Sequence, residues 1–164
     1  MRDISKIITI CLLLIVGILH AEDKKMNDQE AQKTWNEYHE RIKNRRLAQA
    51  AIINKELEKN GITTEIDLML DFTFFAKEEN DAKNLQKQLS ENYEISINKK
   101  EDYWFINATS RPYAVNFTTQ QHMDWVEFMH DVALSHGSIF SVWTITNHET
   151  KQVWSNENIS TEYD

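Results

Sequence analysis

The feature that most constrains the fold is a change of hydrophobic period in the middle of the chain. Over residues 27–60 apolar side chains recur at helical spacing, which predicts one long helix with Asp28 as its N-cap. The period then becomes two: Ile66, Leu68, Leu70, Phe72 and Phe74 alternate with Glu65, Asp67, Met69, Asp71 and Thr73. Such alternation predicts a half-buried β-strand. The helix must bury its apolar stripe, so we expect it to pack against the domain or against a second copy in a homodimer.

The remaining elements follow from the same reading. Two further helices are predicted at residues 79–92 and 119–136, and strands at 93–98, 103–109 and Ile139–Asn147, with a further short strand near Gln152–Trp154. After the long extra N-terminal helix the order is β-α-β-β-α-β. This order predicts an α+β, ferredoxin-like fold with an antiparallel four-stranded sheet and both crossover helices on one face.

This pattern also predicts the domain boundaries. The N-terminal helix is expected within residues 22–61, the ferredoxin-like domain within 62–154, and a flexible tail at 155–164. Gly61 and Gly137 fall where helices should end, as expected for residues that adopt the left-handed conformation.

Residues 1–21 have the pattern of an export signal. Arg2 and Lys6 precede an uncharged apolar run, Ile7–Leu19, which is too short for a comfortable membrane span of about 20 residues. Cleavage after the small residue Ala21 predicts a periplasmic or secreted protein without a stable membrane span. The alternative is an uncleaved anchor in the inner membrane with the domain outside.

Composition and motifs exclude several kinds of chemistry. The net charge of −8 disfavours direct binding of nucleic acid, and a chain with 3 glycines offers no glycine-rich phosphate loop. The sequence contains no H-E-x-x-H or G-x-S-x-G motif. We therefore predict a protein that is not an enzyme and needs no metal or cofactor, with no catalytic residues. The remaining catalytic alternative is a small carboxylate-dependent hydrolase.

The candidate partner-binding residues are three carboxylates and one tryptophan. Glu65, Asp67 and Asp71 share the outward side of the first predicted strand, where they would form an acidic surface for a basic partner protein. The alternative is a solvated polar face without function. Trp143 lies in the last strong strand, where an exposed tryptophan beside carboxylates would anchor an interface. The basic cluster at residues 43–46 is expected to lie on a solvated face of the long helix, with contact to a partner as the alternative.

Residues 45–147 resemble the RraB family, protein regulators of ribonuclease E. The resemblance lies in four segments: Leu57–Gly61 after a long helix, the aromatic strand Asp71–Phe75, the helix Asp81–Leu85, and the strand Gly137–Trp143 with its final tryptophan. The resemblance implies a ferredoxin-like fold and a function by protein binding.

This chain also departs from the family pattern. It has Phe140-Ser141-Val142-Trp143 where the family usually has Tyr-Asp-Gly-Trp, and its C-terminal end lacks a strongly acidic tail. Ribonuclease E works in the cytoplasm, whereas the leader indicates export. Two hypotheses follow: an exported binding module, such as an inhibitor or immunity protein, and a regulator of ribonuclease E activity by direct binding.

Overall fold

The structure of the chain is a computed structural model, and it describes residues 27–164. The predicted leader at residues 1–21 lies outside the described residues. The chain divides after Glu37: the described residues before this point form the first turns of a long helix, and Tyr38–Asp164 form one compact unit. Within residues 27–164, no helix combines the length and the apolar character that crossing a membrane requires.

The described residues form three helices and five strands. In chain order they are α1 (Asp28–Lys59), β1 (Leu68–Ala76), α2 (Glu79–Leu89), β2 (Glu94–Lys100), β3 (Tyr103–Thr109), α3 (Thr119–Ser135), β4 (Ser138–Asn147) and β5 (Val153–Ser155). The expected α+β class with a long N-terminal helix is confirmed.

All strands belong to one antiparallel sheet in the order β2-β3-β1-β4-β5. The sheet has five strands where four were expected, because the short segment after β4 adds β5 at the edge. Trp154 of β5 is opposite Ile145 of β4, and its burial against the core gives this short strand its stability.

The core lies between the helices and one face of the sheet. In β1, Met69 and every second residue from Leu68 to Ala76 are buried, and the latter set shares one apolar cluster with residues from all three helices. The cluster includes Ala50, Ile53 and Leu57 from α1, Ala82, Leu85 and Leu89 from α2, Val126, Met129 and Ala133 from α3, and Leu68, Leu70, Phe72 and Phe74 from β1. Part of the apolar stripe predicted for α1 therefore packs against the sheet and the other two helices.

Helix α1 is also held in place by polar contacts. Lys43 forms ion pairs with Glu127 at 2.8 Å and Asp131 at 3.2 Å, both on α3. The Arg46 guanidinium donates to the backbone carbonyl of Phe140 at 3.2 Å, and Arg45 pairs with Asp164. The expectation of a solvated face for this basic cluster is wrong, because its side chains connect α1 to α3, β4 and the C-terminal segment.

Side chains cap the N-termini of two helices. Asn27, and not the expected Asp28, caps α1: its Oδ1 accepts from the backbone N–H of Glu30 at 2.9 Å. The hydroxyl of Thr118 accepts from the Gln121 N–H at 3.1 Å, and the Gln121 side chain accepts in return from the Thr118 N–H at 2.8 Å. This reciprocal capping box begins α3 at the predicted position.

The pairing of β4 with β1 contains a bulge. Thr73 is opposite Val142 and Phe74 is opposite Phe140, so Ser141 has no partner on β1. On the opposite edge of β4, where β5 pairs, the side chain of Asn156 bonds to the backbone around this bulge. Its Nδ2 donates to the Ser141 carbonyl at 3.1 Å, and its Oδ1 accepts from the Trp143 N–H at 2.8 Å.

The segment after β5, expected to be a flexible tail, is anchored at two points. Gln49 of α1 donates to the carbonyls of Asn156 and Ile159 at 3.3 and 2.9 Å, and the Asn156 amide donates back to Gln49 at 3.0 Å. The Gln49 and Asn156 side chains are both buried. These contacts connect the end of the chain to the middle of α1.

Candidate functional site

The four predicted site residues occupy three different environments. Asp71 lies on β1, as expected. Glu65 and Asp67 come before β1 begins and are exposed, so they are not part of the strand. Trp143 has an exposed fraction of 0%, and the expectation of an exposed anchor is wrong. The structure therefore does not bring the four residues together as one surface.

The bulge in β4 explains the burial of Trp143. One extra residue reverses the alternation, so Phe140, Trp143 and Ile145 all lie on the buried side, while Ile139 and Val142 lie on the other. Uniform alternation places Phe140 and Trp143 on opposite faces, which is why both sides of this strand look apolar in the sequence.

The side of the sheet turned away from the helices carries the best candidate surface. We call it the open face and define it by the following residues, which register places side by side: Asp71, Thr73 and Phe75 of β1, Glu94, Ser96, Asn98 and Lys100 of β2, Tyr103, Phe105, Asn107 and Thr109 of β3, and Ile139, Val142 and Thr144 of β4. No helix within residues 27–164 lies on it. A shallow groove of about 420 Å³ runs along its middle, lined in part by Asp71, Thr73, Asn107 and Thr144.

A charged cluster marks one end of this groove. Arg111 donates to both carboxylate oxygens of Asp71, from Nε at 3.3 Å and from Nη2 at 3.0 Å, and the Thr109 hydroxyl donates to the same carboxylate at 2.6 Å. Partial burial would raise the pKa of Asp71, but the hydrogen bonds from Arg111 and Thr109 outweigh it and lower this pKa. Asp71 is therefore ionised and oriented. A general acid needs the opposite shift, which does not favour the hydrolase alternative.

A row of neutral polar groups crosses the middle of the groove. The Thr73 hydroxyl donates to Asn107 Oδ1 at 3.1 Å, and Asn107 Nδ2 donates to Asn98 Oδ1 at 2.8 Å. These three side chains connect β1, β3 and β2 in sequence. Their outer atoms keep donors and acceptors available to solvent, so the surface is suited to polar recognition of another chain.

Aromatic side chains occupy the other end of the open face. Phe75 packs against Tyr103 with ring centroids 5.8 Å apart and against Phe105 at 6.5 Å. Tyr103 is 43% exposed, and Lys77 Nζ lies 5.1 Å from the centre of its ring. A half-exposed aromatic group beside a polar groove is a common composition for a protein interface.

On the buried side, Trp143 belongs to a polar chain inside the core. Its indole N–H donates to His122 Nε2 at 3.2 Å, and His122 Nδ1 lies 2.7 Å from Asn54 Oδ1. An indole can only donate, so Nε2 must accept and the proton of the neutral ring is on Nδ1. Burial lowers the pKa of His122 to about 4. The role of Trp143 is thus structural.

Sequence reasoning missed most of the groove. Thr73, Asn107, Thr109 and Arg111 carry no motif, and single polar residues on strands are ordinary on a solvated sheet face. Only Arg111, two residues after a strand and directly before Pro112, had a position that could have suggested a contact with Asp71. In the part of the chain that the structure describes, no group of three or more His, Cys, Asp or Glu is placed to hold a metal ion.

A scan against protein-family models matches none of them to this chain. A search of the curated proteins returns no significant match.

Proposed function

We propose that this chain is an exported, non-enzymatic module that binds a basic partner protein with the open face of its sheet. An inhibitor or immunity protein would act in this way. The proposal includes a ferredoxin-like, RraB-like arrangement of the domain. The sheet order β2-β3-β1-β4 and the two crossover helices support that arrangement.

The observation that carries the proposal is the contrast between the two sides of the sheet. One side is packed against three helices, whereas the open face has a groove of about 420 Å³ and half-buried side chains without a covering element in residues 27–164. Its mixture of ordered polar groups and partly exposed aromatics is suited to a protein surface. The groove is too shallow and too little enclosed to exclude water from a reaction.

The charge of the groove end supports a basic partner. Asp71 and Glu94 lie at the same end of the open face, and the exposed Glu65 and Asp67 come directly before β1 at this end. Arg111 neutralises only part of this charge. Together with the net charge of −8, these carboxylates would guide a basic protein toward the groove.

Charge reversal tests the partner surface. The protein is immobilised and exposed to periplasmic extract, and the protein that it retains is purified and titrated. We expect Glu65→Lys with Asp67→Lys to weaken binding about tenfold, because attraction becomes repulsion at two exposed positions just before β1. The matched control is Glu91→Lys with Asp124→Lys, which makes the same change of charge at exposed positions away from the open face. Equal binding by both double variants would contradict the proposed surface.

Export is tested separately with alkaline phosphatase fused to the C-terminus of the full chain, since this enzyme becomes active only after translocation. We expect activity. An inactive fusion at normal protein levels would refute export and would favour regulation of ribonuclease E in the cytoplasm.

A further inference from the structure

Strand β2 forms one outer edge of the sheet. Its only strand neighbour within residues 27–164 is β3, and the pairing of these two strands has no bulge. The strand also contains no proline. An edge strand with these properties presents free N–H and C=O groups that can pair with another strand.

The hairpin between β2 and β3 determines which groups point outward. Lys100 and Tyr103 flank a turn of two residues, so they form a hydrogen-bonded pair. Alternation along the strand then directs the backbone groups of Ile95, Ile97 and Lys99 away from β3. The contact of Gln86 with this edge agrees: its side-chain amide donates to the Ile95 carbonyl at 3.4 Å.

The sequence of β2, EISINKK, is complementary to itself in the antiparallel direction. When two copies are centred on Ile97, Glu94 is opposite Lys100 of the second copy, and Ser96 is opposite Asn98. Sliding one β2 strand along the other by two residues is the smallest shift that keeps every side chain on the same face of the sheet. This shift separates both Glu94–Lys100 pairs. Within residues 27–164 neither Glu94 nor Lys100 forms an ion pair.

We propose that β2 pairs with β2 of a second copy, antiparallel and centred on Ile97, so that the two sheets become one continuous sheet. The outward groups of Ile95, Ile97 and Lys99 supply the hydrogen bonds, and the two symmetric Glu94–Lys100 pairs select the register. A backbone N–H of the second copy donates to the Ile95 carbonyl in place of the Gln86 side chain, whose contact with it is long.

This dimer leaves the open face accessible. Glu94, Ser96, Asn98 and Lys100 lie on the same side as the groove, so pairing extends the open face across the two-fold axis without covering it. The inference does not rest on the proposed function, since either can hold without the other.

Sedimentation equilibrium over a wide concentration range tests the dimer, with protein recovered from cells that express the full chain. We expect Glu94→Lys and Lys100→Glu each to weaken dimerisation about tenfold, because each change places like charges opposite one another at two symmetric positions. The double variant Glu94→Lys with Lys100→Glu exchanges the charges and should restore the affinity. Glu91→Lys, an exposed change just outside the pairing, is the matched control.

A backbone variant gives an independent readout. Ile97→Pro removes an N–H that points away from β3, so it should abolish the dimer while circular dichroism of the monomer stays unchanged. A protein that is monomeric at every concentration would overturn the proposal. So would a dimer that none of the β2 variants weakens, including one formed through α1, or a dimer that the double variant fails to restore.

Discussion

His122 is the residue whose surroundings most restrict its protonation. Asn54 accepts from its Nδ1, Trp143 donates to its Nε2, and Phe117 stacks on its ring with centroids 5.2 Å apart. A proton added at Nε2 would meet the indole N–H of Trp143, and Nε2 could then no longer accept from it. The imidazole is therefore held neutral inside the core, and its low pKa follows from burial.

This low pKa makes stability depend on pH. The pKa of His122 is about 4 in the folded chain against an ordinary value of 6.5, so the unfolded chain binds the proton first as the pH falls. The stabilisation is complete above the ordinary value and is lost between there and about pH 4. With a shift of this size, we expect a loss of about 3 kcal/mol over that range.

Urea unfolding at a series of pH values measures this loss, and His122→Gln is the comparison because glutamine does not titrate. His39 and His130, whose pKa values are also lowered by burial, contribute equally to both proteins and cancel in the difference. Parallel stability curves for the two proteins would contradict the assigned role of His122.

At the scale of single elements, β4 depends on a side chain that follows it in sequence. Asn156 bonds to Ser141, Trp143 and Gln49 and is 1% exposed. It supplies a donor and an acceptor to backbone groups at the bulge, on the edge of β4 where the pairing with β5 has ended. One contact network thus joins the bulge, the buried Trp143 and the C-terminal segment.

Asn156→Ala should therefore reduce the free energy of unfolding by about 3 kcal/mol, since it leaves buried backbone and amide groups without partners. Asn158→Ala is the matched control, because Asn158 is exposed and makes no hydrogen bond with another residue in 27–164. Chemical denaturation of the two variants gives the comparison. Similar stability would mean that water or a neighbouring side chain replaces the Asn156 amide.

The two described glycines differ in what an added methyl group would meet. Both have positive φ, +71° at Gly61 and +61° at Gly137. A Cβ at Gly61 has nothing within 4 Å, whereas one at Gly137 would lie 2.6 Å from Asp81 Oδ2. We expect Gly61→Ala to cost about 1 kcal/mol, from backbone conformation alone, and Gly137→Ala to cost more.

A double-mutant cycle with Asp81→Ala separates the cost of the backbone conformation at Gly137 from the cost of the close contact with Asp81. In that background Gly137→Ala should cost no more than Gly61→Ala does, because the obstructing carboxylate is gone. If thermal unfolding gives the same excess with and without Asp81, the clash is not its source.

The elements that could be predicted are those with an uninterrupted pattern. Alternation through Phe72 and Phe74 identified β1, and both glycines ended helices where expected. The prediction of an exposed Trp143 failed because the extra residue Ser141 shifts the alternation of buried and exposed side chains in β4. The sequence pattern alone does not indicate such a bulge. The prediction also failed for Lys43, since its partners on α3 are distant in sequence.

At the scale of the whole molecule, the packing of the helices on the sheet decides which surfaces remain free. The core residues on α1, α2 and α3 meet one side of the sheet, so the open face stays uncovered within residues 27–164. A patterned sequence predicts that such a face exists. It does not predict the groove, because Asn107, Thr109 and Arg111 become neighbours of β1 only through strand register.

The most direct test of partner binding at the open face is site-specific photocrosslinking in intact cells. A photoreactive amino acid is placed at Thr73 or Asn107 on the open face and, as a control, at the exposed Asp124 on α3. The account predicts adducts with a different, basic protein from both open-face positions and none from Asp124. Equal adducts from all three positions, or adducts from Asp124 alone, would contradict it.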